Sequence, residues 1–208
     1  MLNVGGLTRC TTIDYPGELA AVIFCQGCPW RCAYCHNKHL MSEQADTTIS
    51  WEEIIRFLER RRGLLDAVVF SGGEPTMQTG LVAAISTVKE LGFLVGLHTA
   101  GAFPEIVEQA LPLTDWVGMD IKAPFEEYEE ITGAPGSGIL ASTSADLVRS
   151  SSVRHQFRTT LDPWLTQGGR IEELCRMVAT WGEDMVLQRV NFMPSECCLG
   201  NRNRQEGR

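Results

Sequence analysis

Short apolar runs recur along the chain, and a longer segment with helical spacing follows nearly every one. Six runs read as strands: "AAVIF" (20–24), "DAVVF" (66–70), "FLVGLH" (93–98), "DWVGMDI" (115–121), "HQFRTTL" (155–161) and "MVLQRVNF" (185–192). "SWEEIIRFLERRR" (50–62) reads as a helix, with Ser50 as its cap, Glu53 three residues on, and Ile54, Phe57 and Leu58 on one apolar face. Further helices are expected over 79–91, 104–111, 140–151 and 170–181. Strand–helix alternation at this spacing predicts βαβ units, a mostly parallel sheet and right-handed crossovers. The expected class is therefore α/β, a partial (βα)6 barrel two units short of a closed TIM barrel. No linker interrupts the pattern, so one domain is expected over 1–194, followed by an irregular tail at 195–208, "SECCLGNRNRQEGR".

Composition narrows the function classes. Apolar residues make up 44% of the 208-residue chain, enough for a sizeable core. The net charge of -8 argues against broad nucleic-acid binding by bulk charge. The arginine runs at 60–62 and at Arg202, Arg204 and Arg208 read as solvated surface. The longest clean apolar run, "LAAVIF" at 19–24, is far too short to cross a bilayer, and "MLNVGGLTRC" has no secretory pattern. A cytoplasmic protein with no membrane partner is expected. Thiols stay reduced there, so clustered cysteines point to metal or catalysis rather than disulfides.

The unusual residues fall just after the strands: "CQGCPWRCAYCHN", "SGGEP" (71–75), "TAG" (99–101), "DIKAP" (120–124) and "TTLDP" (159–163). In parallel α/β folds these strand ends share one rim, where ligands bind. Motifs spread over more than a hundred residues would thus meet at one mouth. The cysteine loop, Cys28-x3-Cys32-x2-Cys35, admits several readings. Structural zinc would add His36 or His39. "CAYCH" fits a c-type haem attachment. Buried thiols can simply pack. An iron–sulfur cubane takes closely spaced cysteines, and three of them leave one iron open to a chelating cofactor.

At this point the chain resembles a known family. C-x3-C-x2-C after the first strand, with Tyr34 before the third cysteine, and "SGGEP" after the second resemble the radical S-adenosylmethionine (SAM) superfamily. "GGLTRCTTIDYPGELAAVIFCQGCPWRCAYCHN", "VVFSGGEPTMQ", "HTAG", "VGMDIKAP" and "FRTTLDP" resemble the anaerobic ribonucleoside-triphosphate reductase activating proteins, near relatives of the pyruvate formate-lyase activating enzymes. The likeness runs from about Gly5 to Pro194.

That resemblance implies a 4Fe–4S cluster on Cys28, Cys32 and Cys35, with SAM on the fourth iron. It implies a glycyl-radical reductase as protein substrate and a flavodoxin- or ferredoxin-like electron donor. Gly72 and Gly73 would let the backbone approach the methionine amino group, and Glu74 would accept from that group or brace the turn. Asp120 and Lys122, two apart, share a face; with Val117, Met119 and Ile121 toward the helices, that face is the barrel interior. Tyr34 would lie against adenine or pack. Arg158 offers a fork for a carboxylate, or pairs with a surface acid. His98 precedes Thr99 where many relatives carry Asp, so it substitutes as a donor or packs. His39 and His155 read as incidental, as do Cys10, Cys25 and Cys175. The adjacent Cys197 and Cys198 have poor geometry for a mutual disulfide. Two other readings remain: a small-molecule radical enzyme such as a 7-carboxy-7-deazaguanine synthase, and a zinc-stabilised interaction domain without enzyme activity.

Overall fold

The computed structural model describes residues 2–44 and 49–189. Seven strands form one sheet in chain order: β1 Val4–Thr11, β2 Ala20–Cys25, β3 Ala67–Gly72, β4 Leu94–Thr99, β5 Trp116–Asp120, β6 Arg154–Leu161 and β7 Met185–Arg189. β2 to β7 are parallel throughout, and β1 is antiparallel to β2. Six α-helices connect them: α1 Trp51–Glu59, α2 Leu81–Glu90, α3 Pro104–Ala110, α4 Tyr128–Thr132, α5 Ser137–Ser150 and α6 Arg170–Ala179. This is the expected partial barrel. No helix among the described residues is long and apolar enough to cross a membrane.

All six expected strands are present. β1 and α4 are additions. β1 escapes the period-2 reading because Gly5, Gly6 and Thr8 dilute its apolar content, and bulges interrupt its pairing with β2. α4 has five residues, too few for a helical period. α1 stops at Glu59, short of the arginines at 60–62, and α5 starts at Ser137 rather than 140. The capping box forms as the sequence predicts: Glu53 N–H donates to Ser50 Oγ (3.2 Å) and Ser50 N–H donates to Glu53 Oε2 (3.1 Å). The last residues of the sixth run, the 1–194 boundary and the tail with Cys197 and Cys198 lie outside the described residues.

Two apolar layers follow from strand alternation. The outer faces, with Val68, Phe70, Val95, Leu97, Val117, Met119 and Phe157, pack under the helices. The inner faces contribute Ala20, Val22, Ala67, Val69 and Trp116 around Tyr15, which is fully buried. Tyr15 comes from the β1–β2 hairpin loop, which tucks into the barrel. Its ring lies 5.5 Å from Trp116, and a Cβ on Gly96 would stand 3.0 Å from it. The N-terminal end of the barrel is thus plugged with apolar side chains, and the inner positions become polar toward the opposite rim.

Candidate active site

The cysteine loop leaves β2 at Cys25 and is anchored by backbone bonds at several points. Gly27 N–H donates to the Leu40 carbonyl (2.8 Å), Cys28 N–H to Met41 (3.2 Å), Arg31 N–H to Thr132 (2.8 Å) and Cys35 N–H to Cys32 (3.1 Å). Gln26 Nε2 donates to the Ser42 carbonyl (2.6 Å), and Trp30 meets Tyr128 edge-on at 5.6 Å. Cys28 and Cys35 are half-buried and Cys32 is buried. Burial pushes the Cys28 thiol up to about 11, with Glu74 adding to the effect and Lys122 opposing it. Burial likewise raises Cys32, again against Lys122. These thiols favour the neutral form until a metal takes the proton's place.

A cavity of about 370 Å³ opens at the C-terminal ends of the strands. It is lined by Cys28, Cys32, Cys35 and Tyr34 from the loop, and by Gly72, Gly73 and Glu74 after β3. His98 and Thr99 line it from β4, Asp120 and Lys122 from β5 and beyond, and Arg158 from β6. Every residue nominated from the sequence therefore meets at one mouth.

The glycine pair has a packing reason. Gly72 has φ +120, and a Cβ there would sit 2.6 Å from the Cys25 carbonyl oxygen. A Cβ on Gly73 would strike the Gly27 carbonyl oxygen and come within 2.9 Å of that of Leu40. The pair lets the β3 turn run backbone to backbone with the root of the cysteine loop. Gly73→Ala is expected to cost about 1–3 kcal/mol of stability, read by denaturant unfolding.

Glu74 is 2% exposed, and its carboxylate is heavily committed. Oε1 accepts from Thr76 N–H (3.1 Å), Thr76 Oγ1 (2.7 Å) and Thr99 Oγ1 (2.6 Å), and Oε2 accepts from Ala100 N–H (2.8 Å). Of the two roles the sequence left open, bracing is the one these bonds perform: the acid ties the β3 turn to the end of β4.

The floor of the cavity is a charged row set by strand register. Asp120 pairs with Arg158 across β5 and β6, and His98 with Gly118 across β4 and β5. Arg158 crosses over Gly118, where a Cβ would lie 2.8 Å from its Nη1. Its Nε donates to Asp120 Oδ1 at 3.0 Å, Nη2 lies 2.9 Å from the same oxygen, and Nη2 donates to the Gly118 carbonyl at 3.3 Å. Lys122 Nζ lies 3.9 Å from Asp120 Oδ2 and 5.7 Å from the Tyr34 ring centre. Burial opposes the charge on Lys122, but Tyr34, Asp120, Cys32 and Tyr128 favour the ammonium, so its pKa stands well above the ordinary lysine value. Burial would raise Asp120, yet Arg158 and Lys122 outweigh it and hold the carboxyl below its usual range.

His98 Nε2 lies 2.8 Å from the Asp14 carbonyl and 3.3 Å from Arg158 Nη1. The carbonyl can only accept, so Nε2 carries the hydrogen, and Arg158 Nη1 is left without an acceptor on this ring. Burial and then Arg158 lower the His98 pKa to about 4, so the ring is neutral at pH 7. Unfolded histidine titrates near 6.5, so the unfolded chain binds more protons between the two values. His98 should therefore cost the fold up to about 3 kcal/mol as pH falls from 6.5 to 4. His98→Gln should flatten that part of the stability profile in urea unfolding at stepped pH.

Sequence reading missed Asp14, Ser71, Thr160 and Gln188 in this lining. Extending the inner-face alternation of β3 and β6 by one step reaches Ser71 and Thr160. Asp14 carries no local signal, because the hairpin loop brings it in from the far end. Among the described residues no three His, Cys, Asp or Glu side chains converge on a single metal ion. Three thiols that share one cavity wall are the donor chemistry an iron–sulfur cluster takes.

A family model described as the radical SAM superfamily matches residues 22–140. The chain belongs to the radical SAM superfamily. That superfamily uses a 4Fe–4S cluster and SAM, and the thiol set and cavity described above fit both. A putative glycyl-radical enzyme activating enzyme of Methanocaldococcus jannaschii is 35% identical over 183 residues, covering 84% of this chain and 75% of that one. A pyruvate formate-lyase-activating enzyme of Clostridium pasteurianum is 33% identical, over 74% of this chain and 66% of its own. A 7-carboxy-7-deazaguanine synthase of Thermococcus kodakarensis is 31% identical over 46% of each chain. In structure, Streptococcus suis SuiB bound to S-adenosylmethionine superposes with TM-score 0.64 at 15% identity, over 82% of this chain and 40% of that one; it shares the fold. This radical SAM enzyme thus has glycyl-radical activating enzymes among its homologues.

Proposed function

We propose that this chain activates an anaerobic ribonucleoside-triphosphate reductase by generating a glycyl radical on it. The single observation that carries the reading is the convergence of all the nominated residues on one cavity. Its support as an activator is the breadth of the likeness to the M. jannaschii protein, 84% of this chain against 46% for the deazaguanine synthase. The reductase target rests on the motif string from "GGLTRCTTIDYPG" to "FRTTLDP".

In this reading Cys28, Cys32 and Cys35 would hold the 4Fe–4S cluster, with SAM beside it in the same cavity. Bound and reduced there, the cluster would supply the electron for reductive cleavage of SAM, the radical chemistry that activation of a glycine requires. The chain's own contribution is binding, orientation and exclusion of water. Lys122, cationic in the cavity wall, pairs with the methionine carboxylate. Asp120 keeps Lys122 and Arg158 in place, and Arg158 Nη1 remains available to a polar group of cofactor or substrate. Glu74 positions the glycine turn and Thr99. Tyr34 covers the Lys122 side, and Trp30 and Phe24 shield the mouth from water.

Lys122→Ala should weaken SAM binding about 10–100-fold, the worth of a charge-assisted hydrogen bond, and spare the cluster. Equilibrium binding beside the visible spectrum separates the two effects. The function itself is tested by anaerobic incubation with reductant, SAM and candidate reductases under electron paramagnetic resonance. A glycyl radical on a ribonucleoside-triphosphate reductase is the expected result. SAM cleavage with no radical on any reductase, and consumption of a pterin-like molecule instead, would replace the reading with the small-molecule one.

A further inference from the structure

A second concavity, of about 680 Å³, lies on the opposite side of the sheet edge, between β1 and α1. Leu7 and Ile49 form its apolar lining, and Arg9, Arg56, Arg60 and Arg61 surround it. The sequence presents only the run at 60–62, which reads as solvated surface; the fold adds Arg9 from β1 and Arg56 from one turn earlier. Phe57 organises the cluster, with the Arg61 guanidinium 5.2 Å and the Arg9 guanidinium 5.7 Å from its ring centre. Arg56 and Arg60 each spend Nε on a backbone carbonyl one turn back, at 3.3 and 3.1 Å, which fixes their stems and leaves their outer nitrogens outward. Among the described residues none of the four forms an ion pair. Among the described residues Glu53 is the one carboxylate lining the groove, and its Oε2 accepts from Ser50 N–H and Oγ.

Four guanidiniums gathered around a single carboxylate among the described residues, on a chain of net charge -8, is not how a merely soluble surface is built; such surfaces intersperse the signs. We propose that this groove docks an extended acidic segment of a partner protein. Stacked guanidiniums offer planar forks that match carboxylates. From Glu53 to Glu59 the helix rises about 9 Å at roughly 1.5 Å per residue, and Arg60 and Arg61 follow its end. That length accepts about three residues of extended chain at roughly 3.3 Å each. A long nucleic acid fits less well, because it would run past the groove onto Glu52 and Glu59 of the same helix and meet the overall negative field. The groove lies outside the cavity at the strand ends, so it suits a partner held beside the enzyme, and its occupancy does not depend on the proposed reductase target.

The test is fluorescence anisotropy of a labelled octaglutamate peptide with the full chain, purified anaerobically. Binding that weakens with added salt is expected, with Arg56→Gln/Arg60→Gln at least about tenfold weaker and Arg149→Gln/Arg176→Gln, on other helices, unchanged. Circular dichroism checks that both variants fold, and a single Arg9→Gln on β1, with a smaller loss, guards against a helix effect. No binding, or equal binding by the Arg56/Arg60 variant, overturns the proposal. Stronger binding of duplex DNA or inorganic polyphosphate at the same groove overturns it in favour of a phosphate polyanion.

Discussion

Cys32→Ala is expected to yield a folded, colourless chain after anaerobic iron and sulfide reconstitution, while the parent protein is brown. SAM cleavage should fall to background. The physical reason is the number of ligands. The three loop thiols share one cavity wall, and loss of one leaves two irons of a cubane without protein ligands. Folding should survive, because the loop is held by bonds that do not involve the thiol: Arg31 N–H to Thr132 and Gln26 Nε2 to Ser42. Cys175→Ala, on α6, should keep the colour. A visible spectrum with iron and sulfide assays reads both variants. An unchanged brown protein in Cys32→Ala would remove Cys32 from the ligand set.

The second large effect is expected from Asp120→Ala. Arg158, with a side chain 9% exposed, and Lys122, at 14%, would lose the only carboxylate within 4 Å of either among the described residues. Breaking a fully buried pair costs about 3–5 kcal/mol; Asp120 keeps a third of its side chain in water, so about 2–3 kcal/mol is expected. The double variant Asp120→Ala/Arg158→Ala should be less destabilised than the two single losses summed, because the stranded charge is gone. SAM affinity should fall as well, since Lys122 would lose its anchor. The pH sign follows from the depressed Asp120 carboxyl. Its stabilisation is present above the unfolded value near 3.9 and is lost as pH falls through the lower folded value. In Asp120→Ala the stability deficit should therefore be full at pH 7 and shrink only in acid. Denaturant midpoints at stepped pH measure both points.

What the sequence reveals and what it hides divide along the range of the interactions. β2 to β7 are legible because parallel strands covered by helices carry dense apolar runs. β1 is not, since a bulged edge strand with paired glycines has no clear period. The site is legible at its strand ends, where Cys28, Gly72, Thr99, Asp120 and Arg158 follow apolar runs. Their partners are not legible, because these come from register and topology. Glu74 bonds Thr99 and Ala100, 25 and 26 residues on, so its bracing role appears only when β3 and β4 lie side by side. Arg158 reads equally well as a carboxylate clamp or a surface pair until the β5–β6 register sets it beside Asp120. Asp14 and Tyr15 sit in a polar, turn-rich stretch whose burial depends on the hairpin loop folding into the barrel.

The most direct measurement is product analysis on the reconstituted chain, incubated without oxygen with dithionite and SAM. Methionine and 5′-deoxyadenosine should form in equal amounts, from protein that contains iron and acid-labile sulfide in equal proportion. Intact SAM, with one zinc per chain and no sulfide, would contradict the account.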